Sequence, residues 1–361
     1  MSAVNPSVAL QMPSAGGEFE RVEISRRDLD EADVQIEIKF VGLCHTDVHQ
    51  AMEGLGRGLF PMVPGHEIAG VVSAIGPGVT RFSVGDQVGV GCFVDSCGQC
   101  EACRDGEEQF CAKGPVSTYN SIDYDGNLTY GGYSERIVVC ERFVVRIPDE
   151  LPLTGAAPLL CAGITLFSPL RRWNVGPHTK VAIIGLGGLG HMGVQLAHAM
   201  GAEVTVLSQT ERKRDDALLL GADHYYATGN GETFQDLRGC FDMIVNTAPT
   251  NLEVDVYLSL LRPHGVLLYV GAPPQPESVN VSSLLSRGRS VAGSMVGGPK
   301  ETQEMLEFCA EHGVIAQTEI VGADEIDNAY KRMLASEVRY RFVMDIATLR
   351  PPTANPPICE S

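Results

Sequence analysis

Four cysteines crowd into fifteen residues: Cys97-x-x-Cys100-x-x-Cys103, then Cys111 after a seven-residue gap. Four thiolates at this spacing suit a closed tetrahedral zinc site, which has no open position and so serves to staple a lobe. An iron–sulfur cluster is the rival, but in the bacterial ferredoxin pattern the fourth cysteine follows after three residues and precedes a proline. Here it precedes Ala112. Unligated thiols are the plainer alternative. A second set is dispersed: Cys44-His45-Thr46-Asp47-x-His49, then Gly65-His66-Glu67, then Cys161. A catalytic zinc takes about three protein ligands and keeps one position open. Cys44, His66 and Cys161 would supply two thiolates and one imidazole, a formally neutral centre able to polarise an alcohol or aldehyde oxygen. Glu67 would be a transient ligand or a base behind the metal. Asp47 would hold the His66 imidazole, because ligating histidines usually lean on a carboxylate or carbonyl. Spacing alone leaves open that Cys44 and Cys161 are buried thiols and His66 a core histidine.

The third constellation is Gly185-Leu186-Gly187-Gly188-Leu189-Gly190, and its context gives it meaning. Val181 to Ile184 is a short apolar run of the kind found in buried parallel strands. After the glycines, Leu189, Met192, Gly193, Leu196, Ala197 and Met200 share one helical face, and Gly201 stops the helix. Glycines where a strand turns into a helix make a dinucleotide site. Gly185 permits the tight turn, Gly187 lets backbone approach a pyrophosphate, and Gly190 lets helix and strand pack closely.

The elements that must carry these residues fall into two styles. Residues 1 to about 157 are β-rich, with strands at Val34–Val41, at Ile68–Ile75 and from Gly85, punctuated by Gly and Pro. This suggests a barrel-like β domain. From about Leu159, strands at 180–184, 203–208, 241–247 and 265–270 alternate with helices at 190–200, 211–220 and 252–261. Such alternation is the mark of an α/β doubly wound parallel sheet. After Ser290–Val296 come two amphipathic helices, about 301–312 and 324–335, and a strand at 340–346. Spacing does not decide which domain this last block joins.

Composition narrows the function classes. At 361 residues, two domains of ordinary size are expected. A formal charge of -18 argues against nucleic acid and anionic membrane as partners. No run of eighteen apolar residues occurs, so no transmembrane helix is expected. The first residues carry no basic segment followed by an apolar one, so no secretion signal is expected. The eleven cysteines are not spread like a secreted disulfide framework, which favours metal binding in a reducing cytoplasm. The last residues, 350–361, are proline-rich and read as a loose tail.

Cys44-His-Thr-Asp47, Gly65-His-Glu-Ile-Ala-Gly70, the four-cysteine lobe, Cys161-Ala-Gly-Ile-Thr165 and Gly185-Leu-Gly-Gly-Leu-Gly190 occur together and in this order. Together they resemble the zinc-containing alcohol dehydrogenases of the medium-chain dehydrogenase/reductase superfamily. Ala156-Ala-Pro-Leu-Leu-Cys-Ala-Gly163 and Val338-Arg-Tyr-Arg-Phe-Val343 are similar to the cinnamyl alcohol dehydrogenase branch, above all its bacterial NADP-dependent alcohol dehydrogenase C group. The resemblance spans roughly residues 5 to 349. It implies a GroES-like catalytic domain of residues 1–157 and 293–349, with a Rossmann nucleotide domain, 158–292, inserted. It also implies a homodimer pairing nucleotide-domain sheets edge to edge. The catalytic zinc would be held by Cys44, His66 and Cys161, with Glu67 able to replace substrate or water on it. The structural zinc would be held by Cys97, Cys100, Cys103 and Cys111. Thr46 and His49 would form the proton relay, which the chemistry supports, since imidazole titrates near neutrality. His49 as a plain surface histidine is the alternative. On resemblance alone, Thr165, Thr247, Gly271, Ser294, Met295 and Val296 lie near the nicotinamide. Where the plant enzymes carry a Trp past the fourth lobe cysteine, this chain has Val116 or its neighbours. Leu55, Val116, Tyr119 and Met295 would shape a broad apolar pocket.

The choice of nicotinamide cofactor depends on the residue ending the second nucleotide-domain strand, where NAD sites usually place Asp or Glu. That position, 18 residues beyond Gly190, is Ser208, and Gln209, Thr210, Glu211, Arg212, Lys213 and Arg214 follow. Gln209 and Thr210 can donate hydrogen bonds, and a 2′-phosphate beside Ser208, Thr210 and Lys213 would gain charge-assisted bonds, each on the order of 1.5–3 kcal/mol. At least one of the three cations would form a solvated helix face. The expected protein is thus an NADP-dependent alcohol dehydrogenase working as an aldehyde reductase on apolar or aromatic aldehydes, with two zinc ions per chain. The same-class rival is an NAD-dependent zinc polyol or formaldehyde dehydrogenase. A different class would be a nucleotide-binding redox sensor switched by its cysteine lobe.

Overall fold

In a computed structural model the described residues are 5–53, 56, 58–229 and 231–350. They form two compact units, one of residues up to 97, 113–158 and from 318 onward, the other of 98–112 and 159–317. Among the described residues no single helix is long and apolar enough to cross a membrane.

The first unit is organised by the strand Asp33–Leu43, whose alternation buries Val34, Ile36 and Ile38 and turns Glu37 outward. It pairs antiparallel with Ile68–Ile75, Arg136–Cys140 and Arg341–Asp345. The seven-stranded sheet is completed by Gln87–Val90, Val145–Arg146 and, parallel to Arg341–Asp345, Thr318–Val321. Ile36, Val41, Ile68, Val72, Val88, Phe342 and Met344 fill the core under it. Leu43 pairs with Phe342 and Val41 with Ile68, so Cys44, Glu67 and Arg341 flank three neighbouring strand ends.

The second unit holds six parallel strands: β1 (Lys180–Ile184), β2 (Glu203–Ser208), β3 (His224–Ala227), β4 (Phe241–Asn246), β5 (Leu261–Tyr269) and β6 (Ser290–Gly293). Their spatial order, β3-β2-β1-β4-β5-β6, is that of a doubly wound dinucleotide-binding sheet. β1 lies at the switch point, between β2 and β4. The apolar runs of β1 and β4 are buried on both faces, as a central parallel strand requires.

Some elements differ from the sequence reading. β3 was not expected. The helix expected over 211–220 is a 3-10 turn, Glu211–Lys213, followed by an α-helix, Arg214–Leu219. The expected nucleotide domain ends at 292, whereas the compact unit runs on to Gln317 and takes in the lobe 98–112. The reason is packing: the helix Pro299–His312 lies on the helix Ala162–Arg172, with Phe308 against Phe167 (5.5 Å) and Glu304 paired with Arg171. The rest of the undecided last block returns to the first unit through Thr318–Val321 and Arg341–Asp345.

Candidate active site and nucleotide site

Cys44 ends the strand Asp33–Leu43 and caps the helix His45–Ala51. One turn into that helix, Asp47 is fully buried. Its Oδ2 accepts from the Cys44 amide (2.8 Å), and its Oδ1 accepts from the Gly65 amide (3.3 Å) and lies 3.0 Å from His66 Nδ1. With Nδ1–H turned to the carboxylate, Nε2 would be the nitrogen that ligates a metal. Burial, the strongest single influence, pulls the His66 pKa down, but Asp47 together with Cys92 and Cys44 raises it well above the ordinary value. The Tyr119 ring stacks on His66, with centroids 5.8 Å apart.

Glu67 is also fully buried and is paired with the buried guanidinium of Arg341 through Oε1. Its Oε2 has no hydrogen-bond partner. Burial pushes the carboxyl up to about 7 against the pull of Arg341. A side chain at position 42 would collide with this carboxylate, since a Cβ on Gly42 would fall 2.0 Å from Oε2. Cys161 is buried at the start of the helix Ala162–Arg172. One donor atom from each of Cys44, His66, Glu67 and Cys161 lies within 4.8 Å of the others. Thiolates, an imidazole fixed from behind and an unpartnered carboxylate oxygen at this separation fit a zinc ion, which relieves the mutual repulsion of the donors. Thr46 Oγ1 lies 3.6 Å from Cys44 Sγ, and His49 follows one turn later on the same partly exposed face.

The ligating atoms of Cys97, Cys100, Cys103 and Cys111 likewise lie within 4.8 Å of one another. Cys100 and Cys103 sulfurs are 3.4 Å apart, too far for a disulfide, and the Ala112 amide donates to Cys100 Sγ. The four-sulfur donor set fits a closed zinc site.

In the second unit the three glycines do separate jobs. Gly185 ends β1 with φ +86°, a conformation costly for any side chain. A Cβ on Gly190 would sit 2.1 Å from the Gly185 carbonyl oxygen, while one on Gly187 would meet nothing within 4 Å. The helix Gly190–Ala199 therefore packs tightly on β1, and open space is left in front of Gly187. Leu186 is buried, and Gly188 and Leu189 complete the turn. Thr247 donates its hydroxyl to the Ile184 carbonyl (2.8 Å), tying β4 to the turn. Lys213 Nζ donates to the Leu186 carbonyl (2.7 Å), which sets its ammonium at the glycine turn. Ser208 ends β2, with Gln209 and Thr210 exposed beyond it. Arg214 is engaged by Glu211 and lies over the Tyr225 ring, so it is the cation turned away to the surface. Gly271 follows β5, with its amide on the Asn246 carbonyl. The Ser294 amide bonds the Tyr269 carbonyl, Met295 is half exposed, and Val296 takes φ +39°. Thr165 is buried in the helix Ala162–Arg172.

Of the expected pocket residues, Val116 and Tyr119 are buried, and Leu55 lies outside the described residues. Sequence reasoning missed Arg341. Its signal was a cation opening the strand Arg341–Asp345, ahead of the apolar run Phe342, Val343 and Met344.

Residues 30–149 match the alcohol dehydrogenase GroES-like domain family, and residues 188–311 match the zinc-binding dehydrogenase family. The chain is 61% identical over 340 residues to a probable formaldehyde dehydrogenase of Bacillus subtilis, covering 94% of this chain and 97% of that one. It is 57% identical over 336 residues to the NADP-dependent alcohol dehydrogenase C of Mycobacterium bovis, covering 93% and 97%. Among solved structures it is similar to CAD from Helicobacter pylori complexed with NADP(H), at 40% identity and TM-score 0.89, covering 96% and 99%.

Proposed function

Because the chain belongs to the zinc-binding alcohol dehydrogenases with a GroES-like domain, we propose that it is a zinc- and NADP-dependent alcohol dehydrogenase acting mainly as an aldehyde reductase. The observation that carries this reading is the donor set of Cys44, His66, Glu67 and Cys161, with Asp47 behind the histidine. When bound, zinc supplies a Lewis acid for the carbonyl oxygen and NADPH supplies the hydride. The residues of this chain do the rest. Cys44, His66 and Cys161 hold the metal, and Asp47 fixes the tautomer and direction of His66. Glu67, held by Arg341, keeps one carboxylate oxygen available to the metal. The Thr46 hydroxyl and the His49 imidazole, on one face of their helix, carry the proton between substrate oxygen and solvent. Cys97, Cys100, Cys103 and Cys111 hold the structural zinc.

Support for NADP comes from Ser208, Gln209, Thr210 and Lys213. Position 208 carries no carboxylate to repel a 2′-phosphate, and Lys213 already reaches the glycine turn. The pyrophosphate is cradled by Gly185–Gly190. Thr165, Thr247, Gly271, Ser294, Met295 and Val296 border the nicotinamide end. Tyr119, whose ring stacks on His66, favours apolar or aromatic aldehydes. The Bacillus subtilis relative makes formaldehyde the second reading. A homodimer through β6 is proposed because β6 is an edge strand with a largely exposed surface, and Val281 and Leu285, shortly before it in the chain, are 62% and 77% exposed. A cytoplasmic location accords with the eleven cysteines and metal-type spacing.

The test is Cys44→Ala and Cys161→Ala. Each abolishes aldehyde reduction and lowers zinc content by one ion per chain while the protein remains folded. Activity retained in either variant refutes the metal mechanism.

A further inference from the structure

The segment just before the helix Pro299–His312 is held from two sides. On one side the Ser294 amide is bonded to the Tyr269 carbonyl at the end of β5 (3.1 Å). On the other, Gly297 and Gly298 are walled in. A Cβ on Gly297 would fall 2.6 Å from a Glu301 carboxylate oxygen and 2.7 Å from Ile164. A Cβ on Gly298 would fall 2.0 Å from the Gly106 carbonyl oxygen and 2.6 Å from Glu108 Oε2. Gly106 and Glu108 belong to the four-cysteine lobe, between Cys103 and Cys111. Glu108 Oε2 is buried without a hydrogen-bond partner. It lies beside the start of a fourteen-residue helix, where the positive end of the dipole favours a carboxylate. The Lys300 stem closes over Gly106, 3.7 Å from where its Cβ would lie. Between these constraints Val296 has φ +39°. A β-branched residue there is strained, and such strain persists only where the surroundings over-determine it.

We infer that the four-cysteine lobe is a positioning element for Ser294–Gly298. Gly106 and Glu108 fix Gly298, and that anchor holds Val296 in its strained conformation. Its consequence for the cofactor rests on the reading above that Ser294–Val296 borders the nicotinamide. A lobe that merely stapled the fold would affect melting alone. This lobe also sets cofactor affinity.

The experiment uses full-length, zinc-loaded protein and the variants Glu108→Ala, Glu108→Gln and Gly298→Ala, with Arg104→Ala on the exposed side of the lobe as control. Amide hydrogen exchange of 294–298 is measured without cofactor, and NADPH affinity by its fluorescence. Faster exchange in Glu108→Ala and Gly298→Ala is expected, with NADPH binding weakened roughly tenfold and kcat at saturating NADPH within about twofold. Glu108→Gln recovers part of both losses, and Arg104→Ala matches the parent. If Gly298→Ala does not fold, Glu108→Ala carries the test. Unchanged exchange in Glu108→Ala overturns the inference. Faster exchange with unchanged NADPH affinity overturns the link to the cofactor. A parent protein that binds no NADPH refutes the cofactor assignment instead, while the exchange result still decides the clamp.

Discussion

Asp47→Asn probes the metal centre with the least change of shape. Asp47 accepts three hydrogen bonds, from the Cys44 and Gly65 amides and from His66 Nδ1. Alanine would strand three buried donors at about 1–3 kcal/mol each, a sum that rivals the whole stability of a domain, about 5–15 kcal/mol. Asparagine keeps one acceptor. Its oxygen can serve Gly65 and His66, and its amide then faces the Cys44 N–H, leaving one buried bond unmade at about 1–3 kcal/mol. The protein therefore folds, with a lowered melting temperature. Replacing the carboxylate also makes His66 a poorer ligand, and loss of such a partner typically costs about 10–100-fold in metal affinity. The assay is competition for zinc by a chromophoric chelator, followed in two phases. The catalytic zinc is expected to leave about 10–100-fold more readily, while the zinc of the four-cysteine site is held as before. Equal retention of both ions, in a protein that has lost the expected stability, would refute the claim that Asp47 acts through His66 on the metal.

Other predictions follow from single contacts. Gly190→Ala, whose Cβ meets the Gly185 carbonyl at 2.1 Å, is expected to destabilise by about 1–3 kcal/mol or more in urea unfolding, whereas Gly187→Ala, facing open space, leaves stability within about 1 kcal/mol and raises KM for NADPH. Equal stability losses in the two would contradict the roles given to these glycines. Arg341→Met leaves the Glu67 carboxylate buried without its cation, at a cost of about 3–5 kcal/mol, and adding Glu67→Leu recovers much of it. A loss under 1 kcal/mol for the single variant would show that the pair is not what holds Glu67. Ser208→Asp is expected to cut the NADPH over NADH preference by about ten- to a hundredfold in kcat/KM, through repulsion of the 2′-phosphate. An unchanged ratio would place phosphate recognition elsewhere.

Much of this was legible in the sequence because its signals are local. β1, the glycine turn and the helix Gly190–Ala199 declare themselves within twenty-odd residues, by an apolar run, three glycines and a helical stripe. The cysteine lobe is legible for the same reason. What periodicity does not encode is which distant segments pair. Arg341–Asp345 reads as a strand, but its place beside Asp33–Leu43, almost three hundred residues earlier, is a tertiary choice. Arg341 was missed with it, since a cation at a strand end is unremarkable until Glu67 lies opposite. β3 was missed because His224–Ala227 is four residues at a sheet edge, two of them tyrosines with polar tips. The run of the nucleotide unit to Gln317 depends on Phe308 and Glu304 meeting Phe167 and Arg171, which no spacing foretells.

The central claim is an aldehyde reductase that needs both zinc and NADPH. Its most direct test is the initial rate of benzaldehyde reduction with NADPH and with NADH at matched concentrations, in zinc-replete protein and after chelation of the catalytic zinc. The account predicts a strong NADPH preference, loss of turnover on chelation and recovery on adding zinc. Turnover that survives removal of the metal, or no turnover with either nucleotide in zinc-replete protein, would contradict it.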